Sequence, residues 1–230
     1  MRLSTTFSSK AGSKRSAANL SSLKRKLTQA ERTALSDRRM FEAACELIST
    51  QGVTNTTLRE IGELAGYSRG LASNRFGSKE ALLRDLLNFV SQQWSNEIHS
   101  FVADKTGLDA FNAAMRAAED FIATQPAHLK ALYILWYDAL GGSKVVRVPL
   151  ASLLDAQRRP VEKWIAEAIV DGSVRPDAVP AQVAIQYSSF VFGTVYQWLI
   201  NPSRIDIPRA FSEYKALLLA AIALDQGPRK

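Results

Sequence analysis

The sequence predicts an all-α protein. From residue 36 onward nearly every segment repeats its apolar residues with a period of about 3.6, and no segment alternates apolar and polar residues over the length of a strand. The first proline is Pro126, so the residues before it can form uninterrupted helices that glycines separate. We expect an N-terminal three-helix unit with a helix-turn-helix, joined by a long helix to a larger helical domain.

Positive charge is concentrated at the N-terminus. The 230 residues have a formal net charge of +7, yet residues 1–40 contain ten basic and two acidic side chains. Residues 41–230 are therefore close to neutral. Such an excess of positive charge favours a polyanionic partner.

Composition excludes several classes of protein. The longest uninterrupted apolar run, Ala216 to Leu224, is about half the length of a membrane-spanning helix, so no membrane partner is expected. Cys45 is the only cysteine, which excludes an intrachain disulfide and a CxxC motif. Residues 1–30 lack the apolar stretch of a secretory signal. We expect a cytoplasmic, bacterial location.

Residues 1–30 predict a basic, flexible N-terminal arm. They are rich in Ser, Lys, Arg and Thr and contain no acidic residue. The same composition is also typical of a transit peptide, which stays open as an alternative.

Residues 31–85 predict the helix-turn-helix domain. An apolar stripe indicates a first helix over 37–51 that stops at Gly52. Thr57 and Glu60 have the spacing of a capping box, which predicts the start of a second helix that Gly66 ends. Ser68 is placed to cap a third helix over 69–76.

Residues 86–230 predict a second helical domain. A fourth helix over 79–103 would be about 37 Å long and could link the two domains. Prolines 126, 149, 180 and 208 favour helix starts. The remaining helices are expected at 108–124, 127–140, 149–171 (kinked or split at Pro160), 180–201 and 208–225.

The third helix predicts a DNA-reading surface, because its exposed side chains are polar or cationic. Arg69 can donate two hydrogen bonds to a guanine, and Asn74 can pair with an adenine. Hydroxyl and basic side chains around them suit phosphates. The candidate DNA-binding residues are Thr57, Arg59, Ser68, Arg69, Gly70, Ser73, Asn74, Arg75 and Lys79. An ordinary helical hairpin with a solvated basic face is the alternative.

Residues 31–85 resemble the N-terminal domain of the TetR family of bacterial transcriptional regulators. The resemblance depends on the order and spacing of Ala43-Ala44, Gly52, Thr56-Thr57, Ile61, Ala65-Gly66, Ser68, Gly70, Phe76 and Ser78-Lys79-Glu80-Ala81-Leu82. Ser73 stands where the family usually has Tyr, and Asn74 and Arg75 replace aromatic or His residues. Phosphate contacts made by that Tyr are not expected in this chain.

The resemblance implies a function for the whole chain. It implies that residues 86–230 bind an effector and form the dimer, and that the protein is a homodimeric repressor of a palindromic operator. Its expected partners are double-stranded operator DNA, a second copy of the chain and an unidentified small-molecule effector that releases the DNA. A ligand-independent regulator or activator is an alternative, and so is a protein that coats DNA without reading its sequence.

Two further sites are expected in residues 86–230. Aromatic residues indicate a ligand pocket formed by Trp94, Tyr133, Trp136, Tyr137, Trp164, Tyr187 and Phe190. Small and apolar residues of the last two helices indicate a dimer interface formed by Gly193, Phe211, Tyr214, Leu218 and Ala221. Packing inside one subunit would explain either set as well.

No catalytic residue, metal site or cofactor is expected. The chain has two histidines and one cysteine, and it lacks a GxGxxG motif and a P-loop. Glu119 and Asp120 are adjacent carboxylates, but neighbouring residues on a helix point about 100° apart. We therefore do not expect the protein to be an enzyme.

Overall fold

A computed structural model describes residues 27–141 and 144–224, without the side chains of residues 144–146 and 149. These residues form helices and an isolated bridge between Val174 and Ala223, which confirms the all-α fold. The helices are α1 (Gln29–Asn55), α2 (Leu58–Leu64), α3 (Leu71–Phe76), α4 (Lys79–Val102), α5 (Gly107–Thr124), α6 (Pro126–Leu140), α7 (Lys144–Val170), α8 (Pro180–Ile200) and α9 (Ile207–Ile222). Within the described part of the chain, no helix is both long and apolar enough to cross a membrane.

Helix α1 begins eight residues before its predicted start. The Thr28 hydroxyl accepts a hydrogen bond from the Glu31 amide at 3.2 Å, and the Thr28 amide donates to the Glu31 carboxylate at 2.8 Å. This capping box satisfies two free amides and starts the helix. Of the predicted arm, residues 1–26 lie outside the described residues, and residues 29 and 30 belong to α1. Gly52, with φ of 80°, interrupts the helix where its end was predicted.

The predicted start of α2 is confirmed. The Thr57 hydroxyl accepts from the Glu60 amide, and the Thr57 amide donates back to the Glu60 carboxylate at 2.9 Å. Hydrogen bonds from the Thr57 side chain and amide hold the pKa of Glu60 below its usual value. The Glu60 carboxylate in the first turn of α2 is therefore already hydrogen-bonded to the Thr57 amide.

Helix α3 is shorter than predicted. Its N-cap is Gly70 rather than Ser68, and no side chain caps it. The Ser68 carbonyl accepts from the Leu71 amide at 3.0 Å, which closes a turn containing Arg69 and Gly70. Arg69 and Gly70 consequently precede the helix instead of forming its first turn.

Helix α7 is not split at Pro160. It runs without interruption from Lys144 to Val170, so it starts five residues before its predicted start and Pro149 lies inside it. A proline in a helix loses one amide hydrogen bond. Here Val161, Trp164 and Ile165, which follow Pro160, are buried in a hydrophobic core. Their burial holds the segment in place despite that loss.

We call the first of two hydrophobic clusters the N-terminal core. Its buried side chains come from α1 to α4, α6 and α7: Met40, Ala43, Ala44, Cys45, Ile48, Ile61, Ala72, Leu82, Leu83, Leu86, Leu87, Val90, Ala131, Leu132, Leu135, Ala139, Leu150 and Leu153. The boundary predicted between residues 85 and 86 falls inside α4, in the middle of this core. The division into domains at that position therefore stays a prediction.

The second cluster, the C-terminal core, contains side chains from α4 to α9. Phe111, Ile165 and Phe211 are fully buried in it, and the Trp94, Ile98 and Phe101 side chains of α4 pack against it. Helix α4 therefore contributes its first half to the N-terminal core and its second half to the C-terminal core.

Cys45 should be unreactive in the folded protein. Its side chain is 1% exposed, and burial, followed by the nearby Glu42 charge, raises the pKa of the thiol to about 12. Because the thiolate is the nucleophile, we expect alkylation by iodoacetamide at pH 8 to be at least about a hundredfold slower than for a small free thiol. Mass spectrometry of the labelled protein measures this. Denaturant should restore the full rate, and equal rates with and without denaturant would contradict the buried position.

Candidate functional site

The candidate DNA-binding residues lie at the start of α2, in the α2–α3 turn, on α3 and at the start of α4. Ser68, Arg69 and Gly70 of the α2–α3 turn and Ser73, Asn74 and Arg75 of α3 are exposed, and so are Thr57 and Arg59 at the start of α2. Lys79 is half-buried. We use the name recognition surface for Arg59, Ser68, Arg69, Gly70, Ser73, Asn74 and Arg75. In the folded protein, this surface is polar with three arginines.

A close approach between α2 and α3 holds the recognition surface in place. Gly62 of α2 is buried, and a Cβ atom at this position would lie 3.0 Å from the Ser68 carbonyl oxygen and 3.8 Å from the Ala72 Cβ. The Gly62 carbonyl also accepts from the Tyr67 amide at 2.9 Å. Gly62 is thus the residue that lets α3 and its preceding turn pack directly on α2.

Arg69 has an acidic partner. Its Nε lies 2.5 Å from a carboxylate oxygen of Glu63, and both side chains remain largely in solvent. Glu63 lies on α2, before the α2–α3 turn that contains Arg69, and sequence reasoning missed it because the two residues lie on opposite sides of this turn. The ion pair orients the Arg69 guanidinium, which was predicted to read a guanine. Because Glu63 is bound to this guanidinium, the ion pair also competes with the predicted base contact.

Thr57 and Lys79 already make hydrogen bonds within the protein. The Thr57 hydroxyl donates to the Glu60 carboxylate at 2.7 Å, and Lys79 Nζ donates to the Thr54 carbonyl at 3.2 Å. The second contact ties the start of α4 to the last turn of α1. Both side chains therefore support the recognition surface from its edges.

An apolar cavity lies between α4, α5, α6, α7 and α8. The cavity is narrow: the centre of a water-sized molecule can occupy about 60 Å³ of it, and the atom-free space reaches about 750 Å³ only when open solvent is counted. Of the predicted pocket residues, Trp94, Tyr133, Trp136 and Tyr187 line it. No charged side chain does so among the described residues. We call it the inner cavity; its other walls include Ser91, Phe121, Leu153, Gln157, Ser188 and Phe192.

The polar atoms of the inner cavity differ in their partners. The Tyr133 hydroxyl donates to the Phe192 carbonyl at 2.7 Å, and burial raises the pKa of this phenol. The Tyr187 hydroxyl and the Trp136 Nε1 are buried without a hydrogen-bond partner within the described residues. Burial, followed by Tyr214 and Glu119, raises the pKa of Tyr187, so its hydroxyl is protonated at neutral pH. Buried polar atoms normally have a partner, so these two are exceptions within the described residues.

A wider cleft adjoins the inner cavity. This outer cavity encloses about 1470 Å³ including open solvent, and the predicted Trp164 lines it. Ser91, Trp94, Leu153, Gln157 and Tyr187 line both spaces. The two cavities are therefore neighbours that share one wall.

Two predicted pocket residues line neither cavity. Tyr137 is 54% exposed and contacts Tyr196, with ring centroids 5.8 Å apart. Phe190 stacks on Tyr214 of α9 at 3.9 Å instead. Each residue lies on a helix that lines the inner cavity, but on a different face of that helix.

The predicted dimer interface stays a prediction, and its residues differ in burial. Phe211 and Leu218 are buried in the C-terminal core of their own subunit, which leaves them little surface for a partner. Tyr214 is half-buried against Phe190, whereas Ala221 is exposed and Gly193 has open space where a Cβ would stand. The α8–α9 outer face, as we define it, consists of Ile185, Ser189, Gly193, Ile200, Ala216, Leu217, Ala220 and Ala221. Leu217 is 72% exposed in this face.

Some residues were missed because helical periodicity alone cannot find them. Ser91, Gln157 and Ser188 are polar residues on otherwise apolar helix faces, which is the signal that could have indicated a cavity. The described residues contain no group of three His, Cys, Asp or Glu side chains that could hold a metal ion.

Comparison with known proteins agrees with this geometry. Residues 41–86 match the family model for bacterial regulatory proteins of the tetR family. The transcriptional repressor KstR2 of Mycolicibacterium smegmatis is 25% identical over 204 residues, which cover 83% of this chain and 92% of KstR2. The transcriptional regulator AcrR of Shigella flexneri is 22% identical over 78% of this chain and 86% of AcrR.

Solved structures share the fold. SmeT, the repressor of the Stenotrophomonas maltophilia multidrug efflux pump SmeDEF, has a TM-score of 0.67 and 21% identity, covering 83% of this chain and 91% of SmeT. Its complex with triclosan has a TM-score of 0.70 and 22% identity, covering 83% and 93%. The helix-turn-helix therefore matches the tetR family of bacterial regulatory proteins, and the chain is similar over most of its length to transcriptional regulators of similar length.

Proposed function

We propose that the protein is a homodimeric repressor that occupies a palindromic operator and leaves it when a small molecule fills the inner cavity. The observation that carries the proposal is that α4 links the two sites. Its residues Leu83–Val90 pack under the helix-turn-helix, while Trp94 lines the inner cavity. In this proposal residues 31–85 read DNA, residues 86–230 bind the effector and form the dimer, and the protein works in the bacterial cytoplasm.

A row of aromatic rings supports a mechanical link between the sites. Phe76 of α3 contacts Phe41 of α1 with ring centroids 5.5 Å apart, and Phe41 stacks on Phe89 of α4 at 5.1 Å. Phe89 in turn contacts His128 of α6 at 5.9 Å. Since α6 also lines the inner cavity, a ligand that displaces α6 or α4 would shift α3. In a dimer, such a shift changes the spacing of two recognition surfaces that must fit successive major grooves.

The relatives support both halves of the proposal. KstR2 and SmeT are named as repressors, and SmeT has been solved in a complex with triclosan. The matched relatives are transcriptional regulators and not enzymes. For this chain, the operator, the direction of regulation and the effector are proposals.

Selection of bound fragments from random and genomic DNA, followed by footprinting, tests the proposal. A repressor of this kind should select a palindrome and prefer it over random duplex by at least about a thousandfold at physiological salt. Equal affinity for all duplexes would favour a protein that coats DNA.

Arg69 should contribute to sequence choice and Lys79 should not. Arg69→Ala is expected to lose about 1–3 kcal/mol of binding free energy and to relax the preference at one base pair of each half-site. Lys79→Ala should weaken binding to all DNA sequences alike, because we expect Lys79 to contact only the DNA phosphates. Binding to a library of single-base operator variants measures both effects. Arg204→Ala, which removes an exposed arginine far along the chain, is the control, and unchanged base preferences in Arg69→Ala would contradict the assignment.

Glu63 should weaken operator binding, because it holds Arg69 in an ion pair. Glu63→Gln is expected to strengthen operator binding by up to about fivefold, because an exposed ion pair that must be given up costs at most about 1 kcal/mol. Titration of labelled operator measures the change. In an Arg69→Ala background the same substitution should have no effect.

Glu46→Gln is the control for the loss of a negative charge by itself, because it alters an exposed carboxylate of α1. Equal gains from Glu63→Gln with and without Arg69 would mean that Glu63 acts through its general charge and not through the ion pair.

The α8–α9 outer face should form the dimer. Leu217→Glu puts a charge into an apolar contact, so the dimer dissociation constant should rise at least about tenfold. Analytical ultracentrifugation measures it. Val170→Glu is a matched control, because Val170 is 90% exposed at the end of α7 and lies outside this face. A Leu217→Glu protein that stays dimeric would contradict the interface.

A further inference from the structure

The inner and outer cavities differ in charge. Among the described residues, no charged side chain lines the inner cavity. The outer cavity is lined by Lys105, Arg159 and Lys163 together with His99, and by no acidic side chain in the described part of the chain. A molecule that extends from one cavity into the other passes from an apolar space to a basic one.

The basic groups are only partly neutralised by the protein. Lys163 lies 3.6 Å from Glu167, and Lys105 Nζ donates to the Phe101 carbonyl at 3.0 Å. Arg159 is exposed and makes no hydrogen bond or ion pair within the described residues. Arg159 and Lys105 therefore retain positive charge without a carboxylate partner.

The shared wall contains a polar group that lacks a partner. Tyr187 is 7% exposed, its hydroxyl has no hydrogen-bond partner within the described residues, and its side chain lines both cavities. Gln157 lines the same wall. The Tyr187 hydroxyl itself is fully buried near Tyr214 and Glu119, which line neither cavity, so the wall that a ligand meets is formed by the rest of the Tyr187 side chain and by Gln157.

We propose that the effector is an organic anion with an apolar body. The apolar body enters the inner cavity, and the acidic group meets Arg159 and Lys105 in the outer cavity. This ligand class rests on the proposed function, because it describes the molecule that would release the operator.

Charge and solvation both favour this order of groups. An acidic group inside the uncharged inner cavity would lose its hydration without a counter-charge, whereas in the outer cavity it stays hydrated beside basic side chains. A cationic head would be repelled by the same side chains, and a neutral head would lack the ionic attraction to them.

Three probes with the same twelve-carbon chain separate these cases. We expect dodecanoate to bind at least about tenfold more tightly than dodecan-1-ol, and dodecylammonium to bind more weakly than both. Tryptophan fluorescence can report binding, because Trp94 and Trp136 line the inner cavity. Biphenyl-4-carboxylate and its neutral amide repeat the comparison with a ring body. A preference for the anion in either pair supports the proposal; no preference in both pairs, or no binding of any probe, overturns it.

Substitutions then locate the charge. The double variant Arg159→Gln with Lys105→Gln should lower dodecanoate affinity to that of dodecan-1-ol and leave dodecan-1-ol binding unchanged. Unchanged binding of the alcohol also shows that the variant is folded. Lys130→Gln, an exposed lysine of α6 that lines neither cavity, should alter neither probe. Retention of the anion preference in the double variant would overturn the assignment of the acidic group to the outer cavity.

Operator release separates this inference from the proposed function. If dodecanoate binds with the expected preference but does not release operator DNA, the ligand class stands and the effector-released repressor does not. If the alcohol binds and releases the operator as well as the anion does, the repressor stands and the anionic ligand class is wrong.

Discussion

One continuous helix has to pack in two cores at once. Helix α4 buries Leu83, Leu86 and Val90 in the N-terminal core and packs Trp94 and Phe101 against the C-terminal core. A helix of 24 residues is stiff along its length, so the two halves cannot adjust separately. The orientation of the helix-turn-helix and the shape of the inner cavity are therefore consequences of the same packing.

The recognition surface is held by small and local features. Gly62 allows α3 to approach α2, and the capping box at Thr57 and Glu60 sets where α2 starts. The Glu63–Arg69 ion pair then fixes a guanidinium at the turn. Because these restraints involve few residues, α3 can present its polar side chains without a large core of its own.

Much of the fold could be predicted because helix ends depend on local chemistry. The capping box of α2 and the positive φ at Gly52 follow from adjacent residues. The start of α1 could have been found by the same rule, since Thr28 and Glu31 repeat the pattern. Pro149 and Pro160 misled the prediction of α7, because burial of the residues after Pro160 outweighs a lost amide hydrogen bond.

By itself, the sequence determined the all-α class, the helix-turn-helix and its polar, arginine-bearing surface, since periodicity, caps and glycines act over a few residues. Only the tertiary structure decided which aromatic side chains line a cavity, that Phe211 and Leu218 face their own core, and that Glu63 meets Arg69. The physical reason is that an apolar stripe determines that a helix face is buried, while the partner of that face depends on how the helices pack in three dimensions.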